Sequence, residues 1–178
     1  KAKIKFMPKE KVLDVGCNAG LLCHYLYKRG CDVTGAEMDK PIVHAATMIA
    51  NGLSMPIKFI HMDLDEQKRL PEYDTICLFS VIHHTKDLKE NGKKVPKSCK
   101  RIIIECKEIE KGSKPVQNGQ KEKNSSWIKN SYWMKTSSWS YKNEKELLNG
   151  LQSLFPGFNN IQKIGAADRS RSMYELRK

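Results

Sequence analysis

The sequence has no apolar run long enough to cross a bilayer; its longest apolar stretches are strand-sized. It has no Cys-x-x-Cys pair. The cysteines at 17, 23, 31, 77, 99 and 106 stand singly, several inside apolar stretches. That spacing excludes a zinc-finger-like cluster, and the apolar patterning argues against a disulfide framework. Buried or free thiols in a reducing cytosol are the expectation, and no secretory pattern contradicts a cytoplasmic location. Acidic residues are in short supply: 20 Asp and Glu stand against 32 Lys and Arg, a net charge of +12. Such an excess suits an anionic partner, nucleic acid above all; a lysine-rich solvated surface is the plain alternative. The dinucleotide fingerprint Gly-x-Gly-x-x-Gly is also missing, which removes the commonest reading of a glycine loop after a strand.

What is present at that place is Lys11-Val12-Leu13-Asp14-Val15-Gly16-Cys17-Asn18-Ala19-Gly20. Lys11 to Val15 read as a buried strand, Gly16 to Gly20 as a turn where backbone approaches a ligand closely, and Leu21, Leu22, Tyr25 and Leu26 as a helical stripe. Gly30 ends that helix. A second strand, 32–37, closes on Glu37, about twenty residues past the loop, where an acid accepts hydrogen bonds from ribose hydroxyls in doubly wound folds. Pro41 opens a second helix, and Ile42, Ala45, Ala46, Ile49 and Ala50 form its buried stripe. His44 sits mid-helix as a packing or solvated histidine.

A third strand, 57–62, leads to Asp63-Leu64. A fourth, 73–80, leads to Ser80-Val81-Ile82-His83-His84, and a fifth covers 101–105. Between the last two, Lys86, Lys89, Lys93, Lys94, Lys97, Lys100 and Arg101 make a dense basic stretch that phosphate would relieve of self-repulsion, and the tail arginines Arg169 and Arg171 would add to weak, salt-sensitive nucleic-acid binding. Residues 107–142 turn to Lys, Ser, Asn, Gly and Gln and read as a long insertion, not a second domain. An amphipathic helix at 144–155 and two strands, 161–165 and 172–176, end the chain. At 178 residues, with no internal repeat, one domain of α/β class with a mostly parallel sheet is expected.

Asp14-x-Gly16-x-x-x-Gly20 followed by Glu37 resembles the class I methyltransferases that use S-adenosylmethionine (SAM) and release S-adenosylhomocysteine (SAH). The resemblance covers nearly the whole chain. It implies a three-layer αβα sandwich whose seven-stranded, mostly parallel sheet has an antiparallel last strand. It implies that the loop Gly16, Cys17, Asn18, Gly20 holds the methionine half of SAM, with Asp14 near its ammonium group. Glu37 and Met38 would then flank the ribose, Asp63 would meet the exocyclic amine of adenine, Leu64 would lie against the ring, and Ser80 would complete the pocket.

The segment after the fourth strand lacks the Asn-Pro-Pro-Tyr of base N-methyltransferases and the Pro-Cys of pyrimidine C5 enzymes. Where metal-using RNA 2′-O-methyltransferases carry glutamates it has Ser80 and His83, so no metal is expected. The His83-His84 pair, Glu105 and the tryptophan-rich segment are distantly similar to enzymes that modify the tRNA wobble uridine, too distantly to transfer catalytic residues. If the acceptor needs a base, His83 or His84 is the nearest candidate. RNA is the favoured acceptor class on charge; a small-molecule O- or N-methyltransferase and a non-catalytic SAM-fold module are the alternatives. Trp127, Trp133 and Trp139, with Tyr132 and Tyr141, suggest a lid over the acceptor or a fixed wall.

Overall fold

β1 (Lys11–Val15) runs through the glycine turn into α1 (Leu21–Tyr27), and β2 (Asp32–Glu37) runs into α2 (Lys40–Gly52). The computed structural model describes residues 4–107, 143–168 and 171–178. β3 (Lys58–His61) and β4 (Thr75–Leu78) follow, then a 3-10 turn over Ile82–His84, α3 (Leu88–Lys93) and β5 (Arg101–Lys107). α4 (Glu144–Leu154), β6 (Asn160–Asp168) and β7 (Arg171–Arg177) complete the chain. The expected insertion from 108 onward, with its tryptophans, and Arg169 lie outside the described residues.

The seven strands form one sheet in the order β3-β2-β1-β4-β5-β7-β6. Pairing is parallel from β3 through β5, and β7 runs antiparallel to both β5 and β6. β4 is buried throughout and β1 is buried at all but its first residue, so these central strands read as apolar runs without alternation. On one face α1 and α2 bring Cys23, Leu26 and Ala50 against Val12, Val33, Cys77 and Ile103. On the other, α4 brings Leu147, Leu151 and Leu154 against Leu13, Ile76, Ile102 and Tyr174. The helices on two faces make the three-layer arrangement expected. α3 meets α4 at backbone distance: a Cβ on Gly92 would stand 2.1 Å from the Leu154 carbonyl oxygen, so only glycine fits there.

Caps set the helix starts. The Asp39 side chain accepts from the Ile42 amide (3.3 Å), Asp87 from Glu90 (3.0 Å) and Asn143 from Glu146 (2.9 Å). α1 stops at Tyr27, before Gly30 takes φ +80°, and β3 and β4 are shorter than their apolar runs. All six cysteines are buried and free.

The basic stretch is not one solvated face. Arg101 is interior, 5% exposed, with its guanidinium 2.5 Å from Glu10 and 3.2 Å from Glu175 and stacked over Phe6. Lys94 donates to main-chain carbonyls, Lys93 pairs with Glu90, and Lys100 pairs with Asp74. Two of the seven expected phosphate contacts, Lys94 and Arg101, thus turn to internal partners, while Lys86, Lys89, Lys93, Lys97 and Lys100 stay exposed.

Candidate functional site

The strand order reverses between β1 and β4, so the loops leaving their carboxyl ends diverge and open a crevice there. The two loops touch: a Cβ on Gly16 would lie 2.6 Å from Val81 Cγ2. Gly16 has φ +70° and Gly20 φ +83°, and a Cβ on Gly20 would meet the Phe59 ring at 2.6 Å. Asn18 also takes a positive φ, 49°, and its side chain accepts from the Ala19 amide at 2.6 Å. The Gly16 and Cys17 amides both donate to the Ala36 carbonyl, which pins the loop over the end of β2.

Two carboxylates stand behind this loop. Asp14 is 3% exposed in the middle of the sheet, and burial pushes its pKa up from 3.8 to about 7. The Cys23 thiol, 3.4 Å away, donates to Oδ2 and partly offsets this, while the charge of Glu37 adds to it. Cys17, expected as a loop contact, is buried behind the loop with its thiol donating to the Asn18 carbonyl at 3.6 Å; the neighbouring Cys17 thiol, burial and the Asp14 charge push the Cys23 thiol upward. Glu37, at the end of β2, is 9% exposed. Its Oε2 accepts from the Asn18 amide (3.1 Å), and its Oε1 from Met38 (2.7 Å) and Asp39 (3.2 Å). One carboxylate therefore ties the glycine loop to the turn that starts α2. Met38 is 42% exposed beside it, and its carbonyl contacts His61 Nε2.

After β3, the Met62 amide donates to the Glu37 carbonyl, which brings Asp63 and Leu64 to the same edge. Asp63 Oδ1 accepts from the Asp65 amide at 2.8 Å; Oδ2 has no hydrogen-bond partner among the described residues. Leu64 is buried.

The far wall comes from β4, β5 and β7. Ser80 takes φ +56° and donates to Glu105 Oε2 at 2.6 Å; the Arg171 guanidinium reaches Ser80 Oγ and stands 3.5 Å from the same glutamate oxygen. The Ser80 side chain thus turns toward β5 and β7. Glu105, read only through a distant likeness, and Arg171, read only as part of a basic tail, are central to this wall. An acid at the end of an apolar strand was the available signal for the first; the pairing of β7 with β5 is needed to see the second. His84 is exposed, and partial burial of its ring together with the Arg171 charge holds its pKa below the usual value. The His83 side chain lies outside the described residues.

A separate cavity of about 450 Å³, lined by Lys9, Lys11, Tyr27 and Asp32 among others, opens at the amino-terminal ends of β1 and β2, away from these loops. Among the described residues no three His, Cys, Asp or Glu converge as metal ligands, and no helix is long and apolar enough to cross a membrane.

A family model described as a methyltransferase domain matches residues 13–105, from β1 through β5. The chain belongs to the class I SAM-dependent methyltransferases. Relatives include the ubiquinone biosynthesis O-methyltransferases of Alkalilimnicola ehrlichii (28% identical over 79 residues, 43% of this chain and 32% of the relative) and Rickettsia prowazekii (28% over 90 residues, 51% and 36%). This methyltransferase domain spans about a third of the length of those curated relatives. A SAM-dependent methyltransferase from Aquifex aeolicus has the same fold, with a TM-score of 0.64 at 16% identity over 97% of this chain and 84% of that one. Magnesium protoporphyrin IX methyltransferase from Synechocystis, solved with bound SAM, gives 0.59 at 18% identity over 96% and 71%.

The residues present fit SAM. The glycine loop follows a path that a Cβ at Gly16 or Gly20 would block. Each carboxylate oxygen has about two acceptor directions. With two amides on Oε1 and one on Oε2, Glu37 keeps a direction open on Oε2 for a ribose hydroxyl.

Proposed function

We propose that this chain methylates an oxygen on a small organic acceptor. The observation that carries this is the polar cluster of Ser80, Glu105 and Arg171, with His84 under the Arg171 charge, at the end of β4, where the following Val81 packs against Gly16 of the glycine loop. The names of the relatives support a small-molecule oxygen over RNA, and the inward turn of Lys94 and Arg101 takes two cations out of the basic stretch.

In this reading Gly16, Asn18 and Gly20 line the methionine half of the cofactor, Asp14 lies near its ammonium group, Glu37 takes a ribose hydroxyl, and Asp63 and Leu64 border the adenine. SAM supplies a methyl group already activated on a sulfonium. What remains for the protein is to place the acceptor oxygen in line, exclude water and take its proton. His84 is suited to taking the proton. With its pKa held down by partial burial and Arg171, it is neutral near pH 7 and ready to accept. Glu105 and Arg171 hold Ser80 and fix the shape of the acceptor wall.

The test is transfer of tritiated methyl from SAM to catechol, to 3,4-dihydroxybenzoate and to total RNA, with SAH binding measured in parallel. Label on the phenols supports the reading. Label on RNA alone, or none on any acceptor from protein that binds SAH, would reject it in favour of an RNA enzyme or a non-catalytic module.

A further inference from the structure

We propose that Lys94 and Asn91, at the end of α3, are positioning residues that set how the adenine base is read. The inference rests on the reading of the loop after β3 as the adenine side of the site. That loop leaves a strand that, among the described residues, pairs with β2 alone, so the described sheet supports it from one side. α3 supplies the other side. Lys94 Nζ donates to the carbonyls of Leu64 (2.7 Å) and Asp65 (3.0 Å), and the Lys94 carbonyl accepts from the Leu70 amide (2.9 Å). One residue therefore grips the loop at its beginning and at its end. Asn91, 5% exposed, donates from Nδ2 to Asp65 Oδ1 at 2.6 Å, and the Lys86 amide donates to both oxygens of the same carboxylate.

The consequence runs back to Asp63. Its Oδ1 accepts from the Asp65 amide, so the aim of Oδ2 depends on where Asp65 sits. Asp65 in turn sits where Lys94 and Asn91 hold it. An ammonium donating to two carbonyls makes charge-assisted bonds, stronger and shorter than neutral ones, and fixes both peptide planes at once. α3 cannot shift to relax the clamp, because Gly92 lies against the Leu154 carbonyl of α4. None of these residues touches the base. They decide whether a carboxylate oxygen or empty space meets its exocyclic amine.

Binding of two nucleosides by calorimetry tests this: SAH, and S-inosylhomocysteine, in which a ring carbonyl replaces the amine. Wild type, Lys94→Met, Lys94→Arg and Asp65→Ala are compared, each with a ligand-free melting curve. Wild type is expected to prefer SAH by at least about tenfold, the worth of one hydrogen bond to a charged group. Lys94→Met and Asp65→Ala should each narrow that preference to about twofold or less, and Lys94→Arg should restore most of it. If Lys94→Met does not fold, Asp65→Ala decides. A variant that loses both ligands equally, or keeps the wild-type preference, shows that the clamp serves stability alone and overturns the proposal. Wild type that binds the two ligands equally would instead remove the adenine role of Asp63, and the proposal with it.

Discussion

Replacing Asp14 with asparagine should make this protein more stable and worse at binding its cofactor. Asp14 is 3% exposed at the centre of the sheet, with one thiol donor and no cationic partner among the described residues. Burial raises its pKa from 3.8 to about 7. That distance corresponds to about 4 kcal/mol at 1.36 kcal/mol per pKa unit. The sign follows from proton counting. Between pH 3.8 and about 7 the folded chain keeps the Asp14 proton while the unfolded chain has lost it, so raising the pH favours unfolding. The protonated carboxyl stabilises the fold at low pH, and that contribution is gone above about pH 7. Asparagine has nearly the same shape, still accepts from Cys23 and never ionises.

The assay is denaturant unfolding of ligand-free wild type and Asp14→Asn across pH. The two should coincide near pH 4, and the variant should gain steadily to about 2–4 kcal/mol near pH 8.5. At about 2–4 °C per kcal/mol for a domain of this size, its melting point should rise by roughly 4–15 °C. SAH affinity at the same pH should fall about 10- to 100-fold, as expected when a charged partner of an ammonium is made neutral. A variant no more stable than wild type near pH 8.5 would refute the reasoning, because Asp14 would then have a compensating charge that the geometry does not contain.

Other consequences can be checked directly. Glu37→Gln removes the charge that three amides share and should weaken SAH binding by about 10- to 100-fold, with sharper proteolysis around Asn18 in calorimetry and limited digestion run side by side. Arg101→Met leaves the mostly buried Glu10 without its cation and Glu175 with Arg177 alone; a loss of about 3–5 kcal/mol in urea unfolding is expected, with no change in RNA retention on a filter. Since His84 must be neutral to accept a proton, methyl transfer should fall on the acid side of pH 6.5 and His84→Gln should flatten that limb; an unchanged profile assigns the base elsewhere. EDTA treatment should leave transfer intact, and activity restored only by a divalent ion would contradict this.

The fold was legible where one interaction dominated. The apolar run 12–15, the glycine turn and the Leu21 to Leu26 stripe specify strand, loop and helix through burial and backbone sterics, which are local. Glu37 was legible as the end of β2 and, as an acid at a fixed distance past such a loop, as a candidate for ribose. Strand ends were harder: Tyr73 and Phe79 extend the apolar pattern of β4 beyond its pairing at Thr75–Leu78, because hydrophobicity reports burial and not hydrogen bonding.

Charge was the least legible feature, for a physical reason. A run of lysines looks uniform in sequence, yet the energy of each depends on what its segment docks against. Lys86 to Arg101 connects β4 to β5 over one face of the sheet, so its residues alternate between solvent and interior. Arg101, first residue of β5, falls inward and neutralises Glu10 and Glu175. Lys94, at the end of α3, falls onto the loop after β3. Arg171 becomes part of the site only because β7 inserts antiparallel beside β5 and returns its first residue to the carboxyl edge, next to Glu105. Local pattern carries none of these placements. Each is fixed by strand order, which no local pattern contains.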